Sequence, residues 1–453
     1  MQLLKHSLVA MALAGIVLTS SCKKNTSDDD DGGGGSTEPT LADKIKDSTL
    51  AYSQDIYLWY DQIPSTFKPR TYADPNEVMV AIRDYSKETG FTDPVDRWSF
   101  AIKQTEWDDI SSGIAGDFGL NVFFRQEGDL RVRFVEAASP AGRAGVRRGW
   151  RITKLNNTSN ITTSNSNAIV AAVYESASTS FEFTKPDGST ATVTLNAGTY
   201  QENPIYLDSV YTVSGKKVGY LVFNSFLGDT TQIANDFQRV FNRFSSANVT
   251  DVVVDLRYNG GGYVNLQEQL ANYLVQSSKS GQVMMNQVYN NNYSRWNETI
   301  NFSKLGSLNV SKLYFIVSSN TASASELLIN NMKPHAEVRV VGPSKTYGKP
   351  VGYFPIPVSD WYIFPVSSRT TNASGSGNYF GGITTDATSA DGLDRDWGNT
   401  AETSLASVLS YISSGNFAPN STIRTGGVTI EEIPQNKLFS ERAFKGSVLP
   451  AKH

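Results

Sequence analysis

Between Lys217 and about Ser414 the chain alternates β-like apolar runs with segments of helical period, and this pattern narrows its fold more than any other feature. Residues 218–223, 249–256, 313–318 and 338–341 read as strands, and residues 233–244, 266–275 and 325–332 as helices. Alternation at this spacing predicts a layered α/β domain with a largely parallel sheet. Val252-Val-Val254 and Leu313-Tyr-Phe-Ile-Val317 are unbroken apolar runs, as strands covered on both faces require. Functional groups in such sheets gather beyond the carboxyl ends of strands, where this chain carries its glycines and small polar residues.

Two modules precede that domain. Apolar positions Leu41, Ile45, Leu50, Ile56 and Tyr60, ending before Pro64, predict a helix, and residues 76–87 a second, giving a helical N-terminal domain over 41–112. From about Gly116 the pattern becomes short β-like runs at 120–124 and 130–135, a helical stretch at 168–174, and a hairpin whose arms, 180–184 and 190–195, flank Pro186-Asp-Gly188. The expected fold class is therefore α/β multidomain: a helical domain, a β module over 113–200, an α/β core over 201–415 and a tail over 416–453. A single cysteine, Cys22, allows no internal disulfide, so the body must rest on packed cores.

Residues 1–22 read as an export leader, with Lys5 at its start, an apolar run over 8–18 and small residues before Cys22. That run is too short to span a bilayer. Residues 23–40, with Asp28 to Asp31 and Gly32 to Gly35, cannot bury apolar surface and read as a flexible tether. Leu18-Thr-Ser-Ser-Cys22 resembles a bacterial lipoprotein cleavage box, with Thr19 where leucine is more usual. The resemblance implies lipidation at Cys22 and an exported protein held by a lipid anchor in the cell envelope, on the periplasmic face of the outer membrane or at the cell surface. The alternative is an ordinary secretory signal with an incidental cysteine. Forty basic against 44 acidic residues, with no basic block in the body, argue against nucleic acid as a partner.

Few residues could activate a nucleophile. Of three histidines, His6 lies in the leader and His453 is the last residue, leaving His335 alone in the body. One histidine and one cysteine do not make a transition-metal cluster, and no cofactor is expected. A Gly-x-Ser-x-Gly elbow is absent, and the Ser-x-x-Lys patterns at Ser65 to Lys68 and Ser214 to Lys217 lie outside any plausible buried helix. A serine nucleophile here would depend on lysine. Ser323, in Thr321-Ala-Ser-Ala-Ser-Glu326, and Lys349, in Thr346-Tyr-Gly-Lys349, both follow β-like runs. Ser323-Ala-Ser-Glu326 is also a capping box at a helix start, and Ser325 competes with Ser323 for either task. Asp255 and Arg257 read as a local ion pair holding the loop Gly260 to Gly262.

Phe118-Gly-Leu-Asn121, followed by Ser139-Pro-Ala, Ala144-Gly-Val146 and Gly149-Trp-Arg-Ile152, resembles a PDZ domain of the bacterial protease type. This implies that the loop Phe118, Gly119, Leu120 and Asn121 binds a peptide's terminal carboxylate while the peptide adds a strand to the sheet edge. Trp150 stands where that family usually has aspartate. Asp255-Leu-Arg-Tyr-Asn-Gly-Gly-Gly262, Thr321 to Glu326, Gly348-Lys349, Gly381-Gly-Ile-Thr-Thr-Asp386 and residues 405–412 resemble, in order and spacing, the C-terminal processing (tail-specific) serine proteases.

That resemblance casts Ser323 as nucleophile, Lys349 as general base, and the backbone N–H groups of Gly262 and Ala324 as the oxyanion hole. A lysine with the ordinary pKa of about 10.4 is neutral only about one time in 2,500 at pH 7, so burial must lower it, costing the ammonium form about 4 kcal/mol. The oxyanion needs preorganised donors in a dry site, and glycine lets backbone approach closely enough to supply them. The family's best-known members carry glutamine four residues after the lysine; this chain has Tyr353. The expected function is a serine endopeptidase acting on polypeptides with unstructured C-terminal tails, the helical lead-in serving as lid or docking face. The alternative, motivated by Tyr353, is a non-catalytic peptide-binding or scaffolding lipoprotein with the same fold. Residues 286–293 and the segment after Pro419 carry no functional reading, and the oligomeric state is not legible.

Overall fold

The first helical period resolves into α1, Leu41–Ile56, and the second into α2, Pro75–Ile82. Asp74 caps α2 by accepting from the Glu77 N–H, and Pro75 takes the first helical position, where no N–H is needed. Ile45, Val78, Met79 and Ile82 join Tyr57, Trp98 and Trp107 in a core that continues into Val351, Tyr353, Phe364 and Phe380. The lead-in therefore shares its apolar interior with a segment about 300 residues later. The protein is represented by a computed structural model that describes residues 38–393, 395–418, 433–440 and 444–451. The leader with Cys22, nearly all of the tether, and His453 lie outside these residues.

Strands β1 (Leu120–Gln126), β2 (Asp129–Val135), β3 (Arg151–Leu155), β4 (Ser178–Thr184) and β5 (Thr190–Asn196) form an antiparallel sheet in sequence order, with β1 at one edge. Alternating residues Phe181 and Phe183 of β4 point into its core with Phe118, Val122, Phe124 and Leu130. The helical stretch 166–175 packs there too, and Tyr174 Oη accepts from the Val122 N–H at 3.0 Å.

The second sheet has six strands. In spatial order they are β12, β11, β10, β8, β7 and β6, where β6 is Ile205–Val213, β7 Lys216–Phe223, β8 Asp251–Asp255, β10 Lys312–Ile316, β11 Glu337–Gly342 and β12 Ala387–Thr388. Strands β7, β8, β10, β11 and β12 pair in parallel, and β6 pairs antiparallel with β7. Ser214 and Gly215, both with positive φ, make the tight turn that forces this hairpin. Helices α3 (Thr230–Ser246), α4 (Val264–Leu274) and α5 (Ala324–Met332) cover one face with Val252 and Val254, while α6 (Thr403–Ser414) covers the other with Val253 and Tyr314. The unbroken valine run is thus buried from both sides.

Two segments without a sequence reading acquire places. Residues 286–289 belong to the strand Val283–Tyr289, and Asn290 donates from its side chain to the carbonyls of Asp55 and Tyr57, fastening the lead-in. In the region read as a tail, a short helix α7, Asn436–Ser440, lies against β1, and β13, Gly446–Val448, pairs in parallel with β9, Gly261–Tyr263. The described part of this region is therefore integral to the body.

Candidate active site

Three strand ends build the site. After β8 the chain turns through Arg257, Tyr258 and Asn259 into the glycine loop. Arg257 is buried and pairs with Asp255 at 2.7 Å, as expected from the sequence, but also with Glu402 at 2.8 Å and Asp391 at 3.3 Å. Asp391 in turn bonds Arg148 and Tyr258, so the loop is anchored to both the antiparallel sheet region and α6. Two arginine charges beside Asp391 hold its carboxyl below the usual range against the opposing effect of burial.

Asn259 Oδ1 accepts from the Gly261 N–H at 2.9 Å. Gly262 has φ +135°, and a Cβ there would lie 2.3 Å from the Phe226 carbonyl carbon and 2.5 Å from the Leu227 nitrogen. Only glycine fits.

After β10, Thr321 donates its hydroxyl to the Leu256 carbonyl, and the chain reaches Ser323 with φ +57°, ψ −109°. A non-glycine residue at positive φ stores roughly 1–3 kcal/mol of strain, and here that strain sets the serine at the N-terminus of α5. Ser323 is fully buried, and its Oγ is hydrogen-bonded to Ser447 Oγ at 2.6 Å. Its rival is otherwise engaged, since Ser325 donates its hydroxyl to the Asn259 carbonyl at 3.1 Å. Ser325→Ala should accordingly destabilise the fold by about 1 kcal/mol in urea unfolding while leaving Ser323 reactive.

Lys349 is 1% exposed. Its Nζ stands 3.6 Å from the Tyr353 ring centroid and 5.7 Å from that of Trp98, and donates to the Lys445 carbonyl at 3.3 Å. Burial drives its pKa well below the ordinary lysine value; Asp96 opposes the shift, Arg83 adds to it, and Glu326 opposes it again. Tyr353, four residues after the lysine, forms the wall on which the amine rests. Trp98, Arg83 and Asp96 come from the lead-in, a contribution with no local signal in the sequence.

Sequence reasoning saw Glu326 only as half of a capping box. Its buried carboxylate accepts from the Ser323 N–H at 2.8 Å, the Gly348 N–H at 2.7 Å, the Lys349 N–H at 2.8 Å and the Thr346 hydroxyl. One side chain thereby sets the serine loop against the lysine loop. Burial pushes its carboxyl up, and the four donors pull it back.

The loops that carry these residues converge: Glu326 joins the backbone N–H groups of Ser323 and Lys349, and a Cβ placed on Gly261, the neighbour of Gly262, would lie 3.0 Å from the Ala324 nitrogen, while Ser323 Oγ is bonded to Ser447 Oγ and the Lys349 amine to the Lys445 carbonyl. His335 stands apart, bonded to the Val283 carbonyl and packed on Phe302. The loop Phe118, Gly119, Leu120 and Asn121 differs from the expected carboxylate cradle. Phe118 is a core residue, Leu120 opens β1, Asn121 donates to the Phe439 carbonyl, and the Gly119 N–H already donates to Asp117 Oδ1 at 2.7 Å. The loop borders a cavity of about 430 Å³ that reaches Gly260 and Lys445 and is walled by Asp117, Glu136 and Glu202. Burial, reinforced by Glu202, pushes Glu136 up to about 8.

Residues 217–389 match Peptidase family S41, and residues 50–100 match the Peptidase S41 N-terminal domain. Residues 217–389 and 50–100 thus carry domains of the S41 peptidase family. The "Probable CtpA-like serine protease" of Staphylococcus aureus (strain COL) is 25% identical over 258 residues, 56% of this chain and 49% of its own length. The "Carboxy-terminal processing protease CtpB" of Bacillus subtilis (strain 168) is 28% identical over 148 residues, 33% of this chain and 28% of its own. The chain thus spans about half, or less, of the length of these curated relatives. A crystal structure of a Bacteroides fragilis NCTC 9343 protein assigned to the S41 proteases superposes with a TM-score of 0.66 at 22% identity, covering 81% of this chain and 96% of that one. The fold is shared.

Proposed function

We infer that this chain is a serine endopeptidase whose Ser323 attacks a peptide carbonyl while the neutral amine of Lys349 takes the hydroxyl proton. The observation that carries the reading is the burial of that amine, which disfavours its charged form without the help of any histidine. The tetrahedral oxyanion is held by the N–H groups of Gly262 and Ala324, the second at the positive end of α5. Lys349 then returns the proton to the leaving amine, and water repeats the sequence on the acyl-enzyme. The ring of Tyr353 orients the amine in place of an amide side chain.

The substrates are polypeptides with flexible C-terminal tails. The antiparallel sheet module is a PDZ-like domain that presents the edge of β1 and the groove beside residues 166–175 to an extended chain, with backbone pairing in place of carboxylate capture. Cys22 carries the lipid that tethers the enzyme to the cell envelope, and mass spectrometry of the membrane fraction should find the mature N-terminus acylated.

The reading is tested by pH. Lys349 must be neutral to act, so phosphonylation of Ser323 by a small fluorophosphonate should be slow at acid pH, rise through the depressed lysine pKa and level off well below the ordinary value of about 10.4. A rate independent of pH across that range, or labelling that persists in Ser323→Ala, sinks the dyad. Absence of labelling altogether would favour a peptide-binding role.

A further inference from the structure

The C-terminal segment lies where a substrate would. The Gly446 N–H donates to the Gly260 carbonyl at 2.9 Å, and the parallel register pairs Gly446 with Gly261. In such a ladder the Gly446 carbonyl faces the N–H of Gly262. A Cβ on Gly261 would fall 2.3 Å from that same carbonyl oxygen and 3.0 Å from the Ala324 nitrogen, so the carbonyl sits beside both oxyanion donors. The strand's other edge is clamped as well, with the Tyr353 N–H donating to the Ser447 carbonyl at 3.1 Å and the Leu449 N–H to the Tyr353 carbonyl at 2.9 Å. Ser447 Oγ lies on Ser323 Oγ, and the Lys445 carbonyl takes the Lys349 amine.

Upstream, the same region covers β1. Asn436 accepts from the Phe124 N–H at 2.8 Å and donates to the Phe124 carbonyl at 2.9 Å, completing that edge as a bound peptide backbone would. Phe439 is fully buried in the groove against Phe123, Phe124 and Tyr174.

Resting on the peptidase reading above, we propose that residues 433–440 and 444–451 act as an internal pseudosubstrate: the first stretch fills the groove at β1 and the second the catalytic slot at β9, and a substrate must displace them. The slot also restricts what can replace it. A Cβ on Gly446 would lie 2.1 Å from Tyr353 Oη and 2.3 Å from the Phe444 ring, so the residue presenting its carbonyl to the oxyanion donors must be glycine, or Tyr353 must move. A strand that merely completed the fold would have no reason to place a hydroxyl on Ser323 and a carbonyl on Lys349.

The test compares the full chain with Gly446→Val, which ejects the strand, and with the milder Ser447→Ala, which removes only the contact to Ser323. Hydrogen exchange should find the amides of residues 446 and 449 protected in the wild type and released in Gly446→Val. Labelling of Ser323 by a small fluorophosphonate, which follows the fraction of open slot, should rise about tenfold or more in Gly446→Val and a few-fold in Ser447→Ala. Unprotected amides in the wild type overturn the proposal, as does a folded Gly446→Val labelled no faster than the wild type. Absence of labelling in all three proteins overturns the dyad, and the inhibitory role with it, while exchange still reports whether the strand is seated.

Discussion

Lys349→Met lowers cleavage of an unstructured peptide by about 10³–10⁴-fold and leaves the fold at least as stable as before. The two halves of this expectation have one cause. The Lys349 amine is fully desolvated beside Tyr353 and Trp98, so its charged form is disfavoured in the folded protein. Methionine keeps the apolar stem and removes the amine, eliminating proton transfer while relieving that desolvation. Ser323→Ala should match it in rate loss, since the two groups act as a unit. Steady-state cleavage and urea unfolding of the same preparations check both halves, and a Lys349→Met protein with more than a tenth of wild-type activity would refute the general-base role.

Glu326→Ala is expected to lose activity and stability together. The carboxylate is buried and accepts three backbone N–H groups and one hydroxyl. Its removal leaves three amide donors without partners in a dry interior, at about 1–3 kcal/mol each. A loss of roughly 3–9 kcal/mol in unfolding free energy follows, a large part of the total stability of a typical fold. The Ser323 and Lys349 loops also lose their common reference. Glu326→Gln, which keeps one carbonyl acceptor, should fall between. Unchanged stability in Glu326→Ala would show that the four bonds contribute little. The contrast with Lys349→Met separates a positioning residue from a catalytic one.

Several residues of this candidate site stand out in the sequence itself. Ser323 and Lys349 do so because the chain offers almost no histidine or cysteine, and Gly260 to Gly262, which alone could be a plain strand-to-loop turn, because they precede those two motifs in order. The ion pair of Asp255 with Arg257 was legible too, because two residues apart at a strand end are neighbours by local geometry. Its extension to Glu402 and Asp391 was not, since those partners lie more than 130 residues away. The loop at Gly119 misled for a related reason. Its glycine pattern is that of an anion cradle, but the neighbouring Asp117 side chain folds back onto the N–H and Glu136 and Glu202 gather around it.

Sequence alone determined the alternation of strands and helices, the turn at Ser214-Gly215 and the glycine requirement of the β8–β9 loop, because hydrophobic period and backbone stereochemistry act over a few residues. Tertiary structure alone decided that the lead-in walls the lysine, that Glu326 joins the Ser323 and Lys349 loops, and that the strand Gly446–Val448 reaches Ser323 from 124 residues away. These depend on burying apolar surface from distant segments in common cores, and that driving force has no direction along the chain.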